Sequence, residues 1–139
     1  MALTVTLTGT TVTLDETAGL QNDDTNTALP VAFSSRLAAL GAPATEINHA
    51  VSNGNVISIS GVTGTINLSF TDASGGALDG DSSGLFNNDG EEIFLFTDAV
   101  NDNIVLGKTA AGAIVFAVYL EETGTPVSGG NFWSIQFEA

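Results

Sequence analysis

Hydrophobic positions along this chain alternate far more often than they recur at helical spacing. In residues 3–8, Leu3, Val5 and Leu7 fall on one side and Thr4, Thr6 and Thr8 on the other, which predicts a half-buried strand. After a bend at Gly9-Thr10, Val12 and Leu14 face inward from a continuation over 11–14. Residues 56–60 (VISIS) and 65–71 (TINLSFT) predict two strands, with Gly61 and Gly64 between them for a hairpin-like turn. Residues 92–97 (EIFLFT) are apolar on both sides, the pattern of an inner strand. The last strands are expected at 104–106, 113–120 and 131–138, joined by turns at 109–112 and 123–130.

Only residues 31–40 carry helical periodicity. Phe33, Leu37 and Leu40 share a face, Ala38 and Ala39 favour the helix, and Gly41 is a natural stop. This short helix is expected to pack over one end or edge of the sheets. Residues 15–30, 72–92 and 98–103 are polar loops, and 43–54 is irregular. Together these elements predict an all-β fold: an antiparallel β-sandwich of about eight strands with one short helix and long acidic loops. At 139 residues the chain fits one domain, spanning 1–139, with no internal repeat.

Charge changes the picture. The formal net charge is −14, and Arg36 and Lys108 are the only firmly cationic side chains. Apolar residues still make up 43%, too many for a disordered acidic tail. Such a surface repels nucleic acid and anionic membrane, and it suits metal ions or salty surroundings. There is no cysteine, so neither disulfides nor thiolate metal ligands are available. No apolar run reaches the roughly 18–20 residues of a membrane span, so no membrane insertion is expected. The start, MALTVTLTG, has neither the basic region nor the long apolar core of a secretory signal. We expect a module of a longer multidomain protein, with neighbouring domains of the same chain as partners.

The residues at 72–92 bring Asp72, Asp79, Asp81, Asp89, Glu91 and Glu92 together, interrupted by five glycines and without any Lys, Arg or His. Like charge at this density calls for a hard cation with oxygen ligands, for which Ca²⁺ is the usual choice. Asp79, Asp81, Ser83 and Gly84 form a D-x-D-x-S-G pattern: alternate oxygen side chains, then a glycine for a sharp turn. An EF-hand would need Glu at the twelfth position, which here is Gly90, so the expected site is a loop of the sandwich. The alternative is a solvated Asp/Gly/Ser turn. Asp98, Asn101, Asp102 and Asn103 form a second candidate site, or a cap on the turn between two strands. Asp15, Glu16, Asn22, Asp23 and Asp24 form a third, which could share an ion with residues 72–81 or stand alone as an exposed loop. The candidate metal ligands are thus Asp72, Asp79, Asp81, Ser83, Asp98, Asn101, Asp102, Asp15, Glu16 and Asp23.

Several segments, taken jointly, resemble a known family. They are 15–21 (DETAGLQ), 70–73 (FTDA), 78–80 (LDG), 83–85 (SGL), 93–98 (IFLFTD), 101–107 (NDNIVLG), 114–120 and 133–139 (WSIQFEA). They span nearly the whole chain, and the resemblance is to the DUF5801-type modules of large bacterial RTX adhesins exported by type I secretion. It implies a Ca²⁺-rigidified β module on the bacterial cell surface, extracellular, in a fibre that serves cell adhesion and biofilm formation. Two roles follow. In one, a Ca²⁺ held by the acidic loop keeps a coordination position open and presents Asp79, Asp81, Ser82 and Ser83 to a peptide or carbohydrate on another cell surface. In the other, the ions are enclosed and the module only extends the fibre.

Enzymatic readings fare worse. Gly80-Asp81-Ser82-Ser83-Gly84 matches the G-x-S-x-G elbow, but that motif needs a strand before it and a helix after it. The one histidine, His49, has no evident tie to Ser82. A carboxylate pair such as Asp79 and Glu91 could serve glycoside hydrolysis, yet the chain lacks the several aromatics of a sugar cleft. Tyr119 and Trp133 lie in apolar runs and are expected in the core, and Phe86 is expected to plug the end of the sandwich. We expect no enzymatic activity.

Overall fold

The computed structural model describes residues 2–14 and 27–138. It is all-β apart from one helix. The strands are β1 (Thr4–Leu7), β2 (Asn48–Val51), β3 (Ile57–Ser60), β4 (Asp79–Phe86), β5 (Glu92–Thr97), β6 (Ile104–Lys108), β7 (Ile114–Thr123) and β8 (Gly129–Gln136); helix α1 spans Val31–Ala39. All eight strands belong to one antiparallel sheet in the order β1-β3-β8-β7-β6-β5-β4, with β2 also on β8. The sheet curls into a half-barrel, so its sandwich-like interior is closed by curvature rather than by a second separate sheet.

From β5 to β8 the chain is a meander, each strand pairing with the next through a short turn. Beyond β8, β2 and β3 lie end to end along one edge. Val51 is opposite Trp133 and Ile57 is opposite Gly130. The excursion at 52–55 is tied down by Ser52, whose hydroxyl accepts from the Phe132 N–H at 3.0 Å and donates to the Gly54 carbonyl at 2.7 Å. Residues 43–54, expected to be irregular, thus contain a strand, β2, paired with β8.

Helix α1 buries Phe33 and Leu37 against Ile104, Leu106, Ala117, Tyr119, Trp133 and Ile135, on the face of the sheet. The rings of Phe33 and Tyr119 stack at 5.2 Å. The helix ends in a Schellman motif: the Ala42 N–H donates to the Leu37 carbonyl, and the Gly41 N–H to the Ala38 carbonyl. Gly41 holds φ +79°, a conformation in which a side chain would be strained.

Three further expectations about strands are corrected. Residues 79–86 are not a loop but the edge strand β4, paired with β5. Its register shifts between Asp79 and Asp81 and again between Ser82 and Leu85, and Gly80 and Gly84 lie at those breaks with φ +86° and +72°. A glycine-supported bulge lets a polar, low-propensity segment follow the strongly β-forming 92–97. Conversely, residues 65–71 form no ladder. Ile66, Leu68 and Phe70 alternate in burial as predicted, but the Leu68 N–H donates to Glu122 Oε1 and the Phe70 N–H to the Asp102 carbonyl. Residues 11–14 likewise turn Val12 and Leu14 inward without pairing as a strand.

Candidate metal centre

The β4–β5 hairpin turns at 87–91, and Asn87 builds the turn. Its backbone N–H donates to the Glu91 carbonyl at 3.0 Å, and its carbonyl accepts from Gly90 at 3.0 Å. Its side-chain oxygen accepts from the N–H groups of Asp89 at 3.1 Å and Glu91 at 2.8 Å. An N–H can be met only by an oxygen, so the amide is oriented without ambiguity. The Asn87 NH₂ therefore points the other way. It donates to Glu91 Oε2 at 2.9 Å and to Glu138 Oε1 at 2.7 Å. Asn87 is buried, and this one residue joins the hairpin turn to the segment after β8.

That junction exists because the sheet curls: β5 and β8 are separated by β6 and β7 in the sheet, yet the β5 turn touches Glu138. The Gln136 amide donates to the Glu138 carbonyl at 3.0 Å and fixes the approach of the chain. As a result one carboxylate oxygen each from Asp89, Glu91 and Glu138 lie within 4.8 Å of one another. Asp89 and Glu91 are exposed and Glu138 is half-buried. It is the only group of three or more acidic or histidine side chains with metal-holding spacing among the described residues.

No Lys or Arg offsets this trio. Lys108 lies over the Phe96 ring, 5.2 Å from its centre. Arg36 is committed to Asp98: its Nε donates to Oδ2 at 2.8 Å and its Nη2 to Oδ1 at 2.9 Å. The trio has oxygen donors only, with the Asn87 amide hydrogens as partial compensation. That donor set suits a hard cation of the Ca²⁺ type, which takes six to eight oxygens and accepts water among them.

The predicted site residues go elsewhere. Asp98 is corrected from metal ligand to the anchor of helix α1: both of its oxygens are taken by Arg36, and Oδ2 also accepts from the Asn101 N–H at 2.9 Å. Burial pushes the Asp98 carboxyl upward, but the Arg36 hydrogen bonds, the Asn101 N–H and the guanidinium charge outweigh it and hold it below the usual carboxylate range. Asn101 receives the Ile104 N–H and Asp102 the Phe70 N–H, both on backbone carbonyls, and the first of these bonds closes the turn between β5 and β6.

Asp72 closes a small turn of its own. Its Oδ1 accepts from the Ser74 hydroxyl and the N–H groups of Gly76 and Ser74, which depress its pKa in that order. Asp81 accepts from the Asp79 N–H within the β4 bulge. Ser82 donates to Glu92 and Ser83 to the Ile93 carbonyl, so both hydroxyls serve the hairpin. None of Asp72, Asp79, Asp81 and Ser83 enters a three-carboxylate group. Asp15, Glu16, Asp23 and their neighbours Asn22 and Asp24 lie outside the described residues.

Of the trio, Glu138 alone also lines a concave groove of about 280 Å³, together with Leu85, Ile93, Val115, Phe116 and Val118. Phe86 is 63% exposed at its lip and plugs nothing, a correction of the expectation for it. Tyr119 and Trp133 are buried as expected, and the Trp133 N–H donates to Glu121 Oε1. His49 bridges Glu46 Oε1 and the Thr27 carbonyl, each at 2.7 Å, a structural use of both ring nitrogens. No helix among the described residues is long and apolar enough to cross a membrane. Set against family models, curated proteins and solved structures, the chain matches none.

Proposed function

We propose that this chain is a calcium-stiffened β module of a bacterial surface adhesin, without enzymatic activity. The observation that carries the metal part is the uncompensated trio of Asp89, Glu91 and Glu138, held in register by the buried amide of Asn87. An ion there ties the β4–β5 turn to the end of β8 and locks the curl of the sheet. The sequence resemblance supplies the extracellular fibre and the adhesive context. Since Asp89 and Glu91 face solvent, an ion between them has positions open to water. That exposure favours a second reading, in which the same ion accepts an oxygen from a peptide or carbohydrate partner. This places ligand recognition at the hairpin turn rather than at Asp79, Asp81, Ser82 and Ser83.

A thermal melt with Ca²⁺ and with EDTA tests the reading. Metal that binds only the folded state stabilises by mass action, about 2.7 kcal/mol at a hundred times its dissociation constant. The expected result is a melting point that rises with Ca²⁺ and a Glu138→Gln protein that has lost the rise. A melt insensitive to Ca²⁺ overturns it. Screens of glycans and free peptides under both conditions then separate the roles: Ca²⁺-dependent binding supports recognition, and a blank screen supports the spacer.

A further inference from the structure

The two terminal strands of the sheet are finished in opposite ways. β4 carries Asp79 and Asp81, two bulges and two positive-φ glycines, the usual devices that stop a sheet edge from pairing with another chain. β1 has no charge, bulge or glycine, its one protective feature being its length of four residues, all of them exposed. Leu3, Val5 and Leu7 are 55%, 54% and 81% exposed, three of the seven large hydrophobics that face solvent among the described residues. We propose that β1 is a self-association edge, and that two copies of this chain join there by antiparallel β1–β1 pairing about Val5.

Three features select a second copy as the occupant. The first is the direction of the backbone groups. β1 pairs with β3 at Thr4–Ser60 and Thr6–Ser58, and the Thr8 N–H donates to the Val56 carbonyl. Alternation then turns the N–H and C=O groups of Thr4, Thr6 and Thr8 toward β3, and those of Leu3, Val5 and Leu7 toward the open edge.

The second feature is self-complementarity. Reversing the sequence L-T-V-T-L about Val5 returns the same sequence, so Val5 meets Val5, Leu3 meets Leu7 and Thr4 meets Thr6. All outward-facing backbone groups find partners at once, with apolar side chains opposite apolar ones and threonine opposite threonine. A two-fold axis through Val5 closes the assembly as a pair.

The third is charge. Two molecules of net charge −14 repel, and they approach most easily where no ionic side chain stands between them. Residues 2–14 and 47–71, which supply β1, β2 and β3, contain no Asp, Glu, Lys or Arg. Pairing at β1 also sets the two acidic β4 edges at opposite ends of the joined sheet. The pair does not depend on the proposed metal site, so EDTA leaves it intact.

Sedimentation across protein concentration, at low salt and near 1 M salt where the Debye length is ~3 Å, reads the association. The expected result is a monomer–dimer equilibrium that shifts toward dimer as salt rises, with the Val5, Leu3 and Leu7 amides becoming slower to exchange in the dimer. Val5→Pro removes an N–H that no partner among the described residues uses, so it should abolish the dimer and leave the melt of dilute protein close to that of the parent. Val5→Lys should do the same by placing a charge at the axis. A chain that stays monomeric at high salt overturns the proposal and leaves the edge to some other partner. So does a dimer in which the Val5 amide still exchanges freely or Val5→Pro changes nothing, and so does growth beyond the pair into fibres.

Discussion

Asp98 lies beneath helix α1 with 2% of its side chain exposed, and the chain spends one of its two strong cations on it. Asp89, Glu91 and Glu138 meet near the surface, and there the chain supplies no cation at all, only the two amide hydrogens of Asn87. Both groups tie distant parts of the fold together, helix to turn in one case and hairpin to strand end in the other. Burial explains the different treatment. A charge taken out of water needs its partner within the same molecule, because no ion can be relied on to reach it. An exposed group can leave its neutralisation to the medium, and its geometry then becomes conditional on what the medium contains.

The sharpest break of this comparison is Asp98→Ala. It leaves Arg36 without its bidentate partner and the Asn101 N–H without an acceptor. Hydrogen bonds to charged groups contribute about 1.5–3 kcal/mol, and Arg36 still reaches water, so we expect a loss of about 2–3 kcal/mol in denaturant unfolding. The loss should be the same with Ca²⁺ and with EDTA. The acid limb should follow the same ion pair. The folded pKa of Asp98 lies below its unfolded value, so its contribution is fully present above about pH 4 and disappears as pH falls through the depressed folded value. The parent should therefore lose stability on acidification over that window more steeply than Asp98→Ala does.

Asn87→Ala comes next. It strips the acceptor from two backbone N–H groups and the donors from two carboxylates, and a loss of about 1–2 kcal/mol is expected from the unpaired groups. Here the cation matters. With the trio no longer spaced by the amide, the Ca²⁺-induced rise in melting point should shrink or vanish. A full-sized rise in Asn87→Ala would show that the amide does not organise the site.

Glu138→Gln follows with a smaller and oppositely signed effect. In EDTA it relieves repulsion among the three carboxylates, so the variant should melt at or slightly above the parent. In Ca²⁺ the order should reverse, because the parent alone gains the ion. The crossing of the two melts is the measurement, and it has no counterpart for Asp98.

How much of this was written in the residues varies by element. Helix α1, with its stop at Gly41, and the meander from β5 to β8 follow from patterns that a local reading captures, because their burial and their periodicity agree. β4 is different: Asp, Gly and Ser in 79–86 speak against a strand, and only the need of β5 for a partner makes it one. The acidic composition pointed to a cation site in general terms, but not to the three carboxylates that the fold brings together. Glu138 lies 47 positions beyond Glu91 and meets it only through the curl of the sheet, which no local pattern encodes. A signal was present in the N-N-D-G-E sequence at 87–91, a hairpin turn that sets Asp89 and Glu91 side by side. Arg36 and Asp98 are separated by 62 positions, and their pairing is likewise a product of packing.

Asp72 sharpens the comparison from the quiet side. It stood among the predicted ligands, and its carboxylate is held low by the Ser74 hydroxyl and by the N–H groups of Gly76 and Ser74 rather than by a cation. It is neither buried like Asp98 nor grouped like Asp89, Glu91 and Glu138, so it has no need of an ion of either kind. Asp72→Asn keeps one side-chain oxygen for those donors and should give the smallest change in melting point of the set. The Ca²⁺ response should remain at parental size, measured by calorimetry as an unchanged affinity. A lost response would return the metal to residues 72–81 and leave Asp89, Glu91 and Glu138 as a solvated turn.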